Sequence, residues 1–380
     1  MSATRLLDPV GPVRLTLGAI GDVGVAGSAR ARAEREGWDA VLAAVGPTLR
    51  AADLGFANLE LPVAEPGWTR PGRSAEFRHD PALPPALARA GVRVVAHANN
   101  HVMDCGARGL ERTLAACRDA GLACAGAGRD LEAARRPAEL VVNARRVVVL
   151  AYAASSPESA RAGRPGPAPL EAALVREDLE RWRPRADVLV VSVHWGSMYV
   201  DYPPPRVLDL ADALERGGAD VVLGHHPHVL QGWRRAGRCL TLFSLGDVVF
   251  DARAGDFEAR TAAAARRESA VFTIHVADSP GLDALPLALD ADGWPQAPEA
   301  GRARAQLERL AALAAGLAQA RERFAREGAP RLLDYELESL GHYLRQGRWD
   351  RIARLLGSLR PRHLPLLWQA LRRRGGGPRG

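Results

Sequence analysis

Five short segments place donor groups suited to metal or acid–base chemistry directly after apolar runs. Ile20-Gly21-Asp22 closes one run with a carboxylate, and Phe56-Ala57-Asn58-Leu59-Glu60 closes another. His97-Ala98-Asn99-Asn100-His101, His194-Trp195-Gly196 and Gly224-His225-His226-Pro227-His228 supply imidazoles and an amide in the same setting. A lone aspartate after a glycine is a turn residue as often as a ligand. Two carboxylates, an asparagine and several histidines recurring at strand ends are best explained together, as a metal site. Mixed nitrogen and oxygen ligation suits Zn, Mn, Fe or Ni better than Ca or Mg.

The elements that must position these groups alternate in type. Apolar, β-branched runs predict strands over 13–20, 92–96, 147–152, 188–193, 221–223, 240–243 and 271–276. Alanine- and leucine-rich stretches between them predict helices over 38–52, 84–90, 109–120, 171–182 and 206–216. Such alternation is the pattern of an α/β domain, whose ligands gather at the carboxyl ends of the strands. Residues 155–169, rich in Ser, Gly and Pro, read as a surface loop. Beyond 280 a loop with Pro286, Pro295 and Pro298 leads to a helix over 302–327, with Leu307, Leu310, Ala314, Leu317 and Phe324 on one face. Further short helices are expected around Leu337, Leu340 and Leu344 and around Ile352, Leu355 and Leu359. The chain therefore divides into a lead (1–12), an α/β domain (13–285), a C-terminal helical extension (286–371) and a tail (372–380). The extension is expected to pack on one side of the domain or to mediate association.

Composition excludes several chemistries. All 51 basic residues are arginine, which removes lysine Schiff-base catalysis and the nucleotide-binding P-loop. An anionic substrate must be gripped by metal, backbone amides or arginine, and Arg78, ahead of the strand at 92–96, is the candidate clamp. Five of the seven excess positive charges lie in the last twenty residues, and aromatics make up only 5%, so no nucleic-acid partner is expected. The four cysteines have no CxxC spacing and suggest neither a disulfide framework nor a zinc knuckle. No run of ~18 apolar residues occurs and residues 1–12 lack a signal-peptide core, so a soluble cytoplasmic protein with no membrane span is expected.

The order of the segments resembles the calcineurin-like metallophosphoesterases, and more closely the CapA family of poly-γ-glutamate capsule-synthesis proteins. The resemblance spans about 14–320 and rests on Gly21-Asp22-Val23, Asn58-Leu59-Glu60, the Ala98–Gly106 segment, His194-Trp195-Gly196, Gly224–Gln231 and Ser244–Asp251. It implies a four-layer αββα sandwich with one or two divalent ions (Mn, Fe or Zn). Glu60 would bridge the ions, with Asp22 and His228 on one and Asn100, His194 and His226 on the other. The implied activity is hydrolysis of a phosphoester or amide by metal-activated water, with His101 as general acid, on an anionic small molecule or peptide. The alternative is an accessory protein that binds a polyglutamate or peptide chain for a synthase without turnover. Four positions depart from the resembled pattern: Gly24 stands where a ligand histidine is common, Glu60 where the wider superfamily usually has a bridging aspartate, Met198 where a glutamate is usual, and Asp247 where an asparagine is usual.

For the remaining residues the plainer reading stands beside the functional one. Asp104 orients His101 or caps the following helix; His225, beside the ligands, is a substrate contact or strand-end packing; Tyr199 contacts substrate as part of a pocket wall shared with Trp195, or both fill core. His97 reads as a core histidine, Asp220 as a turn residue, and Asp247 and Asp251 as turn or substrate-contact groups. His275, His342 and His363 read as structural or exposed.

Overall fold

The run Val188–His194 is buried at every position, which a strand achieves only when both faces of its sheet are covered. The computed structural model describes residues 2–71, 73, 77–154, 156–250 and 267–332, with 340, 341, 344, 349 and 352 beyond. In chain order its strands are β1 (Thr4–Leu7), β2 (Leu15–Gly24), β3 (Leu54–Leu59), β4 (Val92–Ala96), β5 (Ala123–Ala125), β6 (Ala127–Gly128), β7 (Ala138–Val142), β8 (Arg145–Ala153) and β9 (Gly166–Pro167). They continue as β10 (Val188–His194), β11 (Val221–His225), β12 (Trp233–Ala236), β13 (Cys239–Leu242), β14 (Asp247–Phe250), β15 (Glu268–Val276), β16 (Gly281–Leu289) and β17 (Pro295–Gln296).

Among the described residues these form two large sheets. The first runs β1-β16-β15-β2-β3-β4-β5, with β14 beside the exit of β2 and β17 beside β16; the second runs β12-β13-β11-β10-β8-β7. β2 to β5 are mutually parallel, as are β8, β10, β11 and β13. Leu17, Phe56 and Val94 of the first sheet interlock with Val149, Val190 and Leu223 of the second in one apolar layer. Helices Gly27–Glu36, Gly46–Ala51 and Leu83–Arg89 cover the outer face of the first sheet through Ala29, Leu49 and Leu87. Helices Ala172–Trp182 and Pro205–Arg216 cover the second through Leu179, Leu208 and Leu214. The architecture is the four-layer αββα sandwich.

Several boundaries differ from expectation for local reasons. The helix foreseen over 38–52 is two pieces, Trp38–Val41 and Gly46–Ala51, because Pro47 starts a new helix rather than continuing one. Pro286 lies not in a loop but inside β16, at a point between the residues paired to β1 and those paired to β17, where among the described residues β15 is its only strand neighbour. The expected division at 285 thus falls within a strand. The helix foreseen over 302–327 runs as α-helix from Ala300 to Ala315 and tightens to 3₁₀ over Gly316–Gln319. A Cβ at Gly316 would lie 2.6 Å from the Tyr202 hydroxyl, so the glycine lets Tyr202 pack against the turn. Leu310 of this helix enters the layer between the sheets, and Gln306 donates to the Ser269 carbonyl at 2.6 Å. Most of the C-terminal segment foreseen as short helices, the tail, and Asp251, His342 and His363 lie outside the described residues. Among those described, no helix is long and apolar enough to cross a membrane.

Candidate metal centre

The first sheet delivers the carboxylates. β2 carries Asp22 in register with Asn58 of β3 and with Asp247 of β14. Asn58 Nδ2 donates to Asp22 Oδ1 at 2.7 Å, and the Asp22 N–H donates to the Gly246 carbonyl at 2.8 Å. A Cβ on Gly21 would stand 1.9 Å from that carbonyl oxygen, so the glycine before Asp22 is what lets β14 approach. Glu60 follows β3 and is tied back by its N–H to the Val23 carbonyl at 3.1 Å. After β4, Asn99 shapes the next loop: its amide donates to the Leu59 carbonyl, and its oxygen accepts from the N–H groups of His101 and Val102.

The second sheet delivers imidazoles. His194 ends β10 in register with His225, which ends β11. Three non-glycine residues here have left-handed backbones, Tyr199 (φ 59°), His226 (φ 95°) and His228 (φ 54°). Such conformations cost of order 1–3 kcal/mol each and survive where surrounding structure enforces them. The Tyr199 N–H donates to the Pro227 carbonyl at 2.8 Å, locking the two loops together.

Two donor groups result, and they share one residue. Glu60, His194 and His226 offer ligand atoms within 4.8 Å of one another, and so do Asp22, Glu60, His228 and Asp247. Glu60 Oε1 lies 3.7 Å from Nε2 of both His194 and His228. Asn100 Oδ1 meets His194 Nε2 at 2.7 Å, and Asp247 Oδ1 meets His228 Nδ1 at 2.8 Å. Asn100 is exposed and His226 partly so, which puts the opening of the site on their side.

Glu60 is fully buried, yet neither carboxylate oxygen has a hydrogen-bond partner. A buried, unpaired carboxylate costs many kcal/mol as an ion and instead takes up a proton. Burial and then the Asp22 charge accordingly push Glu60 up to about 8. Burial pushes Asp22 up as well, but the hydrogen bond and charge of His225, with His194 and His228, outweigh it and hold Asp22 low. Burial and the neighbouring His226 push His194 down, leaving it a neutral donor. A shared carboxylate with four open lone-pair directions, flanked by neutral imidazole and anionic oxygen, fits one or two divalent cations.

The fold therefore gathers Asp22, Glu60, Asn100, His194, His226 and His228. It adds Asp247, which the sequence reading left between a turn and a substrate contact; its signal was the Ser-Leu-Gly-Asp strand exit. Asp104 does not cap the helix Gly106–Asp119, whose N-cap is Cys105. Its Oδ2 instead takes His101 Nδ1 at 2.8 Å, its Oδ1 faces Arg73 Nε at 3.0 Å, and Arg73 also donates to Glu158 at 2.7 Å. His225 lies behind the ligands, with Nδ1 at 3.1 Å from Asp22 Oδ1. The Tyr199 ring is 6.1 Å from that of His228, as part of the site wall. Arg78 donates to the Ala64 carbonyl at 3.3 Å. Trp195 is core, its N–H donating to the Phe243 carbonyl at 3.0 Å. The space a histidine at position 24 would need holds Phe250, whose ring lies 2.4 Å from a Cβ built on Gly24 and packs 4.9 Å from the His228 ring. His79, which the sequence reading passed over, accepts the Val25 N–H at 3.1 Å and is held neutral, pushed down to about 3 by burial.

The family model described as bacterial capsule synthesis protein PGA_cap matches residues 16–252. The chain is 31% identical over 247 residues to the capsule biosynthesis protein CapA of Bacillus anthracis, a match covering 63% of this chain and 60% of that protein. It is 38% identical over 231 residues to a probable polyglutamine synthesis accessory protein of Mycobacterium tuberculosis, covering 56% and 59%. The matches thus span about three-fifths of the curated relatives' length. Among solved structures, a putative 5′-nucleotidase from Staphylococcus aureus is 12% identical with a TM-score of 0.43, covering 77% of this chain and 58% of that one.

Proposed function

The chain belongs to the bacterial capsule synthesis PGA_cap family, and from that premise we propose that it is a metal-dependent hydrolase of a phosphoester or amide in an anionic small molecule or peptide. The observation that carries this reading is Glu60, shared by two donor groups and left with both oxygens unpaired in the interior. Glu60, His194, His226 and Asn100 would hold one cation, and Asp22, Glu60, His228 and Asp247 the other. Cations there supply Lewis-acid polarisation of the scissile centre and acidify a water near neutral pH.

The chain's own groups do the rest. Asp104 accepts from His101 Nδ1, which fixes the imidazole orientation and favours its protonated form. Nε2 then carries the proton for the leaving group. Arg73, between Asp104 and Glu158, holds that carboxylate in place. A peptide-type substrate is suggested by the relative named as a polyglutamine synthesis accessory protein, and Arg78 and Tyr199 remain the proposed substrate contacts.

The accessory reading, binding a polyglutamate or peptide chain without turnover, draws on Phe250 occupying the place of a further ligand beside Gly24. Asp247 weighs against it, because it returns a donor to that same group. Metal analysis of the purified chain, with turnover of an aryl phosphate and a γ-glutamyl anilide, tests both. Bound metal with hydrolysis of either compound supports the enzyme, and bound metal with neither hydrolysed selects the accessory role. If His194→Ala and His226→Ala leave the metal content unchanged, the ligand assignment fails.

A further inference from the structure

A second group of soft donors lies on the far side of β4. His97 follows that strand, Cys117 sits on the buried face of helix Gly106–Asp119, and Cys124 lies in β5, beside Val95 in register. One ligand atom from each lies within 4.8 Å of the other two. His97 is fully buried, and neither of its ring nitrogens has a hydrogen-bond partner of good geometry. A core histidine in an ordinary protein has at least one such partner, and an imidazole without one forfeits roughly 1–3 kcal/mol. Cys117 is fully buried as well, whereas Cys124 is partly exposed and opens on a cleft of about 720 Å³ also lined by Arg118, Leu114 and Pro137.

We propose that His97, Cys117 and Cys124 form a separate site for one thiophilic cation, Zn²⁺ or Cu⁺. With metal–sulfur bonds of about 2.3 Å and a metal–nitrogen bond of about 2.0 Å, ligand atoms around a trigonal ion sit about 4 Å apart, so the group needs little contraction. Two sulfurs and one imidazole are the donors that soft d¹⁰ ions select over the oxygen-rich cluster across β4. The cleft at Cys124 provides an entry path and room for a water to complete a zinc tetrahedron. None of the three shares a linear motif, so the site exists only in the folded chain. Its ligands bracket the loop that bears Asn100, His101 and Asp104.

X-ray absorption on the full-length, fully reduced protein tests this, because the oxygen and nitrogen cluster has no sulfur donor. Loading with Zn²⁺, and in a separate arm with Cu⁺ under anaerobic conditions, should give a sulfur shell near about 2.3 Å in at least one arm. Cys124→Ser should abolish that shell while circular dichroism stays unchanged, and His226→Ala should leave it intact. The arm with the sulfur shell identifies the cation. A shell of nitrogen and oxygen alone in both arms overturns the proposal. So does a sulfur shell that survives Cys124→Ser together with His97→Ala. Should Cys117 variants fail to fold, the partly exposed Cys124 position carries the test alone.

Discussion

Glu60→Gln has a sign that separates a cation-binding carboxylate from an ordinary buried one. In metal-stripped protein the folded-state value is about 8 against 4.5 for the free side chain, through burial and the Asp22 charge. The folded chain therefore keeps a proton that the unfolded chain releases. Stability from this group is full below about pH 4.5 and is lost as pH rises toward about 8, at roughly 1.4 kcal/mol per pH unit. The upper bound is about 5 kcal/mol across the window, with coupling to Asp22 reducing it. Glutamine mimics the protonated acid and removes this slope. After chelation and dialysis, urea unfolding should give near-equal stabilities at about pH 5 and a clear advantage for Glu60→Gln at about pH 8. Added Mn²⁺ at a hundredfold excess over its dissociation constant should cut that advantage by about 2.7 kcal/mol at about pH 8 and put the unsubstituted chain ahead at about pH 5, because only the chain that binds it gains. The titrations of His194 and His228 persist in both proteins, so the difference between the profiles is the quantity to read. Parallel profiles without metal, or equal stabilisation of both proteins by Mn²⁺, would refute the assignment of Glu60 as a shared ligand.

Other substitutions probe other parts of the same argument. His101→Ala should keep its metal and lose turnover by about 10²-fold or more, read by metal analysis alongside kcat. Asp104→Asn should retain fold and metal but move the alkaline limb of the pH–rate profile to lower pH, because it removes the charge that favours protonated His101, the general acid. Gly21→Ala drives a methyl into the Gly246 carbonyl and should cost about 3 kcal/mol or more, read as a lower denaturation midpoint at an unchanged slope. Leu310→Ala should cost about 2–5 kcal/mol, since the side chain is buried between the sheets; a loss under about 1 kcal/mol would mean the helix Ala300–Ala315 is only loosely attached.

Strands such as Val188–His194 were legible because a buried parallel strand is a nearly unbroken apolar run, and the polar residue at its end marks the edge where loops converge. Helix Gly27–Glu36 was not legible: its buried residues are only Ala29 and Ala33, too small to print a hydrophobic period among the arginines and glutamates. Asp247 was missed as a donor because β14 is four residues long and gains its meaning from pairing with the exit of β2, far away in sequence. The same holds for Gly24, whose missing side chain makes sense only once the Phe250 ring is seen to fill the space. Cys117 and Cys124 looked unrelated to any metal motif because their partner is a histidine across a strand and a helix.

The division of donors between the two sheets gives the centre a mechanical role. Asp22, Glu60, Asn100 and Asp247 come from the first sheet, and His194, His226 and His228 from the second. The chain crosses between sheets within 243–246, beside the centre itself. A bound ion would therefore act as a clasp across the sandwich, its hold depending on how closely the two halves are docked. Trimming a distant side chain in the shared layer, such as Val147 or Val149, then loosens the clasp without touching a ligand. Metal affinity thus becomes a gauge of how well two separately built sheets have been fitted together.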